Sequence, residues 1–211
     1  MLNHTDSPTP GYFLCYYIPS RKDVTVLSDL LINFKNNEPA EIINELCEWA
    51  CLELLKANIN IDIIVRALGS KETEPQEGTA LDQLGNKLAE YLNASYQPKL
   101  LKKRRFTYPM KRLESEERKA AIDNTYYFDG DENISDMNSI LIIDDIYTSG
   151  ATINEIIRSI RVEYPKLSIC FFSLGKTDFQ SDKNRKIVMP YYIAERNIDK
   201  LEDVKAEYVY L

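Results

Sequence analysis

Ile140–Ile143 is an unbroken apolar run that passes straight into two acids, Asp144 and Asp145. After a polar turn, Ile153, Ile156, Ile157 and Ile160 recur at helical spacing until Pro165. The run has no polar alternation and is bounded by turn residues, so it predicts a short strand covered on both faces. Such a strand needs helices above and below it, which places the chain in the α/β class. The remaining pattern agrees. Residues 11–18 (GYFLCYYI), 61–65 (IDIIV), 167–174 (LSICFFSL) and 186–193 (KIVMPYYI) read as further strands. Residues 24–34, the stretch from Pro39 to about Asn58, and Leu81, Leu84, Leu88 and Leu92 read as helices. The expectation is a mostly parallel, twisted sheet flanked by helices, as one domain over 11–211 after a flexible tail at 1–10.

Composition removes several chemistries. The only histidine is His4, so a histidine-based triad or a His-rich zinc site is excluded. Of four cysteines, Cys47 and Cys51 are four apart on a helix, yet no CxxC pair occurs, and they read as buried apolar residues. No apolar run approaches the roughly 20 residues that span a bilayer, and the first residues lack the basic and apolar regions of a signal peptide. A cytoplasmic protein with no membrane partner is expected. The net charge is −7, but residues 99–119 hold nine Lys/Arg against three Glu. That basic island marks either an anionic ligand or a solvated face. The acidic body argues against a nucleic-acid partner, and the island is the one stretch that could contact one. The aromatic ends, Tyr12–Tyr17 and Tyr208–Leu211, read as core strands or as a homodimer surface.

The chemistry is concentrated where the apolar run ends. Ligands in open α/β sheets bind at the carboxyl ends of strands. There Thr148, Ser149, Gly150, Ala151 and Thr152 lead into a helix, offering backbone N–H groups and three hydroxyls that suit a phosphate monoester. Two carboxylates would repel that phosphate if aimed at it, so Asp144 and Asp145 are expected to address hydroxyls of a sugar, with Mg²⁺ nearby. An acidic strand end also fits a response-regulator receiver, but too little chain follows Ile140 for that fold. Gly175-Lys176-Thr177 mimics the end of a P-loop, but Cys170 stands where its leading glycine belongs.

The thirteen residues 140–152, ILIIDDIYTSGAT, resemble the 5-phosphoribosyl-1-pyrophosphate (PRPP) motif of type I phosphoribosyltransferases. The resemblance implies that Asp144 and Asp145 contact the ribose hydroxyls. It likewise implies that Tyr147, Thr148, Ser149, Gly150, Ala151 and Thr152 hold the 5′-phosphate, with Mg²⁺ accompanying PRPP and no direct protein ligand assigned to it. VRALGSK at 65–71 resembles the family's pyrophosphate loop, which implies backbone donors at Arg66, Ala67, Leu68, Gly69 and Ser70, often in a strained or cis conformation. The basic residues Lys103, Arg104, Arg105, Lys111 and Arg112 would then sit on a mobile loop over the pyrophosphate. The wider layout is similar to the ComF-like branch through Leu84–Leu92, Arg104-Arg105-Phe106-Thr107, Leu113, Arg118 and Phe128. It departs from that branch in lacking the cysteine ribbon and in having Glu77-Gly78-Thr79-Ala80 where an Arg-Gly-x-Asn-Gln stretch belongs. Two functions follow from the resemblance: transfer of a phosphoribosyl group from PRPP to an unidentified nitrogenous acceptor, or non-catalytic PRPP sensing or ComF-like DNA-uptake support on the same fold.

Overall fold

The computed structural model of the chain describes residues 3–4, 9–17, 26–107, 115–130, 134 and 137–177. The strand expected at 186–193, the Tyr208–Leu211 end, Lys111, Arg112 and Leu113 lie outside these residues. Eight strands occur among the described residues: β1 (Asn3–His4), β2 (Gly11–Tyr17), β3 (Ile63–Arg66), β4 (Ser95–Tyr96), β5 (Leu101–Lys103), β6 (Tyr126–Phe128), β7 (Ser139–Tyr147) and β8 (Ser168–Thr177). Six of them form one sheet in the order β1-β2-β8-β7-β3-β4, and β5 and β6 pair separately. Every neighbouring pair in the main sheet is parallel except β1 with β2. The α/β class with a mostly parallel sheet is therefore as the sequence predicts. At the sheet edge Asn3 and His4 pair with Phe13 and Tyr12.

Five α-helices occur among the described residues: α1 (Val26–Lys35), α2 (Ala40–Lys56), α3 (Ala80–Leu92), α4 (Ser115–Ile122) and α5 (Ala151–Glu163). On one face, Leu31, Leu46, Leu54, Leu84 and Leu88 of α1–α3 meet Ile64, Leu141, Ile143 and Phe172. On the other, Ile153, Ile156 and Ile160 of α5, with Ile122, Leu101, Tyr126 and Phe128, meet Ile63, Val65, Ile140, Ile142 and Phe171. Ile140–Ile143 are all fully buried. Each such side chain stabilises the fold by about 1.5–3 kcal/mol. A one-residue slip would exchange the two faces, so this run locks the register of β7.

Helix ends follow local chemistry. Asn37, Asn58, Asn93 and Asn124 adopt left-handed backbone, with φ of 62°, 51°, 52° and 50°, just beyond α1, α2, α3 and α4. Asparagine tolerates that conformation better than other residues bearing a Cβ. The Asn37 side-chain oxygen also accepts from the Ala80 N–H at 2.5 Å, tying the α1–α2 turn to the start of α3. Cys15, Cys47 and Cys51 are buried in the α1–α3 layer, and burial pushes their thiols up to about 12, as the apolar reading requires.

The connections decide where a site can form. From β3 the chain passes through α3 to β4 at the sheet edge, whereas from β7 it passes through α5 to β8 in the opposite direction. Helices α3 and α5 lie on opposite faces. The chain therefore diverges between β3 and β7, and such a switch point marks the binding crevice of open α/β sheets.

Candidate functional site

Asp144 and Asp145 stand at the carboxyl end of β7, beside that switch point. Side chains alternate along a strand. The alternation that sends Ile140 and Ile142 to the α5 layer carries Asp144 there, and Asp145 goes with Leu141 and Ile143 to the α1 layer. Lys35, the last residue of α1, forms an ion pair with Asp145. Asp144 Oδ1 accepts from the Asp145 N–H at 2.9 Å, and Asp145 Oδ1 accepts from the Ile146 N–H at 2.6 Å. Burial and the neighbouring Asp145 charge push the Asp144 carboxyl up to about 8, against the downward pull of Lys35. For Lys35 itself, burial acts to lower the pKa, but the two aspartates outweigh it and the net shift is upward. The upward shift favours the protonated carboxyl, which can donate as well as accept a hydrogen bond. Ser173 sits in register with Asp144 on β8, and its buried hydroxyl has no hydrogen-bond partner among the described residues. Neither Lys35 nor Ser173 carries a sequence signal of its role; a basic residue in the last turn of a helix is commonplace.

The turn after β7 is built around Gly150, whose φ of 78° suits glycine. It caps α5 with no side chain, so the first-turn N–H groups of that helix lack a side-chain acceptor, and the Asn154 N–H to Gly150 carbonyl bond of 2.8 Å starts the ladder. Uncapped amides and the positive end of the helix dipole together favour an anion. A Cβ on Gly150 would lie 2.5 Å from the Tyr147 hydroxyl oxygen. The Tyr147 ring stacks on Phe171, with centroids 5.2 Å apart and planes 17° apart. Tyr147 thus supports the turn from below. Thr148 is exposed, Ser149 and Thr152 are half-buried, and Ala151 is buried.

The loop after β3 leaves the sheet beside Asp144, where the Ala67 N–H donates to the Ile143 carbonyl at 2.8 Å. Both backbone groups of Leu68 engage the Tyr126 hydroxyl: the N–H donates to it at 3.1 Å, and it donates to the carbonyl at 3.0 Å. The Thr107 N–H donates to the Ser70 carbonyl at 2.9 Å. No peptide among the described residues is cis, in contrast to the conformation that the family resemblance allows. Arg66 is 1% exposed and turns inward. Its guanidinium donates to both Glu72 carboxylate oxygens, at 2.9 and 2.7 Å, and to the Ala67 and Gln76 carbonyls at 3.1 and 2.9 Å. Glu72 also accepts from the Gly69 N–H at 2.6 Å.

The basic island divides. Lys103 belongs to β5 rather than to a loop, because pairing with Tyr126 of β6 fixes it there. Its ammonium donates to the Gly69 carbonyl at 2.8 Å, lies 3.4 Å from Thr107 Oγ1 and sits 5.1 Å from the Tyr126 ring centroid. Burial lowers the Lys103 amine to about 8, opposed by the charges of Glu72 and Asp144. Arg104 and Arg105 point outward: Arg104 stacks 4.9 Å over Tyr127, and Arg105 donates to the Asp123 carbonyl at 2.9 Å. The structure therefore gathers Asp144, Asp145, the Gly150 turn, the Arg66–Ser70 loop and Lys103 around the carboxyl ends of β3 and β7, while Arg104 and Arg105 are exposed.

No protein-family model matches the chain, and no curated protein matches it. Among solved structures, the xanthine-guanine-hypoxanthine phosphoribosyltransferase of Helicobacter pylori is similar at 12% identity and a TM-score of 0.39, over 66% of this chain and 88% of that one. The adenine phosphoribosyltransferase of Trypanosoma brucei, solved with AMP, pyrophosphate and ribose-5-phosphate, is similar at 11% identity and a TM-score of 0.36, over 88% of this chain and 95% of that one. Both likenesses are remote. No helix among the described residues is long and apolar enough to cross a membrane.

Proposed function

We propose that the chain binds PRPP with Mg²⁺ between β3 and β7 and transfers its phosphoribosyl group to a nitrogenous acceptor, releasing pyrophosphate. One observation carries this reading: an acidic strand end, an uncapped helix opened by Gly150 and the loop after β3 converge at a topological switch point. Asp144 and Asp145 would hold the ribose hydroxyls, and residues Thr148 to Thr152 the 5′-phosphate. In the transfer, the acceptor nitrogen forms a bond to C1 while the C1–O bond to pyrophosphate breaks. The electron pair leaves with pyrophosphate, and the acceptor proton passes to water. Positioning and charge stabilisation suffice for such a step. Mg²⁺ arriving with PRPP would neutralise pyrophosphate charge. No described side chain is assigned to Mg²⁺ directly: Asp145 is already paired with Lys35, and the Asp144 carboxyl is shifted toward its protonated form.

The engagement of the Arg66–Ser70 loop by Glu72 favours a second reading, PRPP sensing without turnover. A ComF-like accessory role would instead use the exposed Arg104 and Arg105. Calorimetric titration with PRPP and Mg²⁺, beside an Asp144→Asn/Asp145→Asn control, tests binding. Saturable heat that the control lacks supports the site, and absence of heat in both proteins refutes it. Release of pyrophosphate with purine, pyrimidine or amine acceptors then separates transferase from sensor.

A further inference from the structure

We infer that Glu72 is an internal anion which holds the donors of the Arg66–Ser70 loop and must be displaced before a pyrophosphate-type anion can bind there. This rests on the reading of that loop as an anion cradle. Four donors converge on one carboxylate: Arg66 Nη1 at 2.9 Å, Arg66 Nη2 at 2.7 Å, the Gly69 N–H at 2.6 Å and the Gln76 N–H at 3.1 Å. A forked guanidinium flanked by backbone amides is the donor set that phosphate oxygens select. The Glu72 side chain is its present occupant.

Arg66 explains why the cradle is filled. Its side chain is 2% exposed. A buried guanidinium stripped of its counter-charge is strongly destabilising. The loop therefore needs an anion at all times, and an incoming one replaces Glu72 instead of joining it. Replacement is sterically open, because Gly69 is exposed and the Glu72 side chain retains 12% exposure. The Glu72 backbone is anchored, its N–H donating to the Gly69 carbonyl at 3.0 Å, so the side chain alone has to swing out. Lys103 is already held by the same Gly69 carbonyl and stands ready as a second cation for a more highly charged anion.

Inorganic pyrophosphate is the probe, titrated into the full chain by calorimetry with NMR of the Gly69 and Gln76 amides. Glu72→Gln keeps the shape and one acceptor but removes the competing charge, and it is expected to bind pyrophosphate at least about tenfold tighter than the wild type, or about 1.4 kcal/mol. Glu72→Asp keeps a counter-charge for Arg66 with shorter reach, so a gain of about two- to fivefold is expected from it. In the wild type, saturating pyrophosphate should move the Glu72 carboxyl carbon resonance to the position of a solvated glutamate, a readout that needs no variant. Equal or weaker binding by folded variants overturns the inference, as does pyrophosphate bound with the Glu72 resonance unmoved, or no binding by any form. PRPP binding that depends on the two aspartates, without a gain in either Glu72 variant, sinks this inference alone. A gain for pyrophosphate without PRPP binding sinks only the transferase reading.

Discussion

Replacing Asp144 by asparagine should make the protein more stable as well as unable to hold PRPP. The carboxyl is raised from 3.8 to about 8 by burial and by Asp145. Between those values the native state binds more protons than the unfolded chain, so wild-type stability falls as pH rises through that window. Each unit corresponds to about 1.4 kcal/mol, which sets a ceiling of about 6 kcal/mol on the loss at pH 8. Water at the half-buried carboxyl screens part of it, and a penalty of about 2–3 kcal/mol is expected. Asparagine carries no such penalty, and its side-chain oxygen can keep the 2.9 Å bond from the Asp145 N–H. Urea unfolding at pH 4, 6 and 8 should show the variant gaining about 2–3 kcal/mol at pH 8 and almost nothing at pH 4. A variant less stable than wild type at pH 8 would show that Asp144 is a structural anion and not a strained ligand-facing acid, and a gain independent of pH would show that ionisation of this carboxyl is not its source.

Gly150→Val should destabilise the fold by about 1–3 kcal/mol and abolish PRPP binding, because a Cβ meets the Tyr147 hydroxyl at 2.5 Å and φ is 78°; thermal melts and calorimetry read the two effects. Tyr126→Phe removes both contacts to Leu68 and should cost about 1–2 kcal/mol, with faster amide exchange at Leu68 as the local readout. Lys35→Met withdraws the cation that pulls Asp144 down, so the Asp144 titration followed by carboxyl carbon NMR should move to higher pH.

The main sheet and the elements that frame the candidate site are legible where the pattern is dense. Ile140–Ile143 and the isoleucines of α5 carry their periods openly, and the glycine turn between them belongs to a recognisable stretch. β4 and β6 are not legible, because strands of two or three residues carry too few alternations to show a period, whereas β5 falls in the basic island, which reads as a strand–loop–strand or a mobile loop. Their order comes from neighbours, as when Tyr126 reaches Leu68 across 58 positions. The same holds for the pairing of Lys35 with Asp145 across 110 positions. For Arg66, a basic residue at a strand end suggests a hand offered to an anion. Only the fold shows it turned inward to Glu72.

The opposed orientation of the two acids has a mechanical consequence. Asp144 belongs to the packing of α5 and Asp145, through Lys35, to that of α1, so the pair straddles the seam between two separately packed cores. A ligand gripping both carboxyls would staple those cores together at the rim of the sheet. Occupancy would then be felt as stiffness far from the pocket, in the backs of α2 and α5, long before any helix changed place.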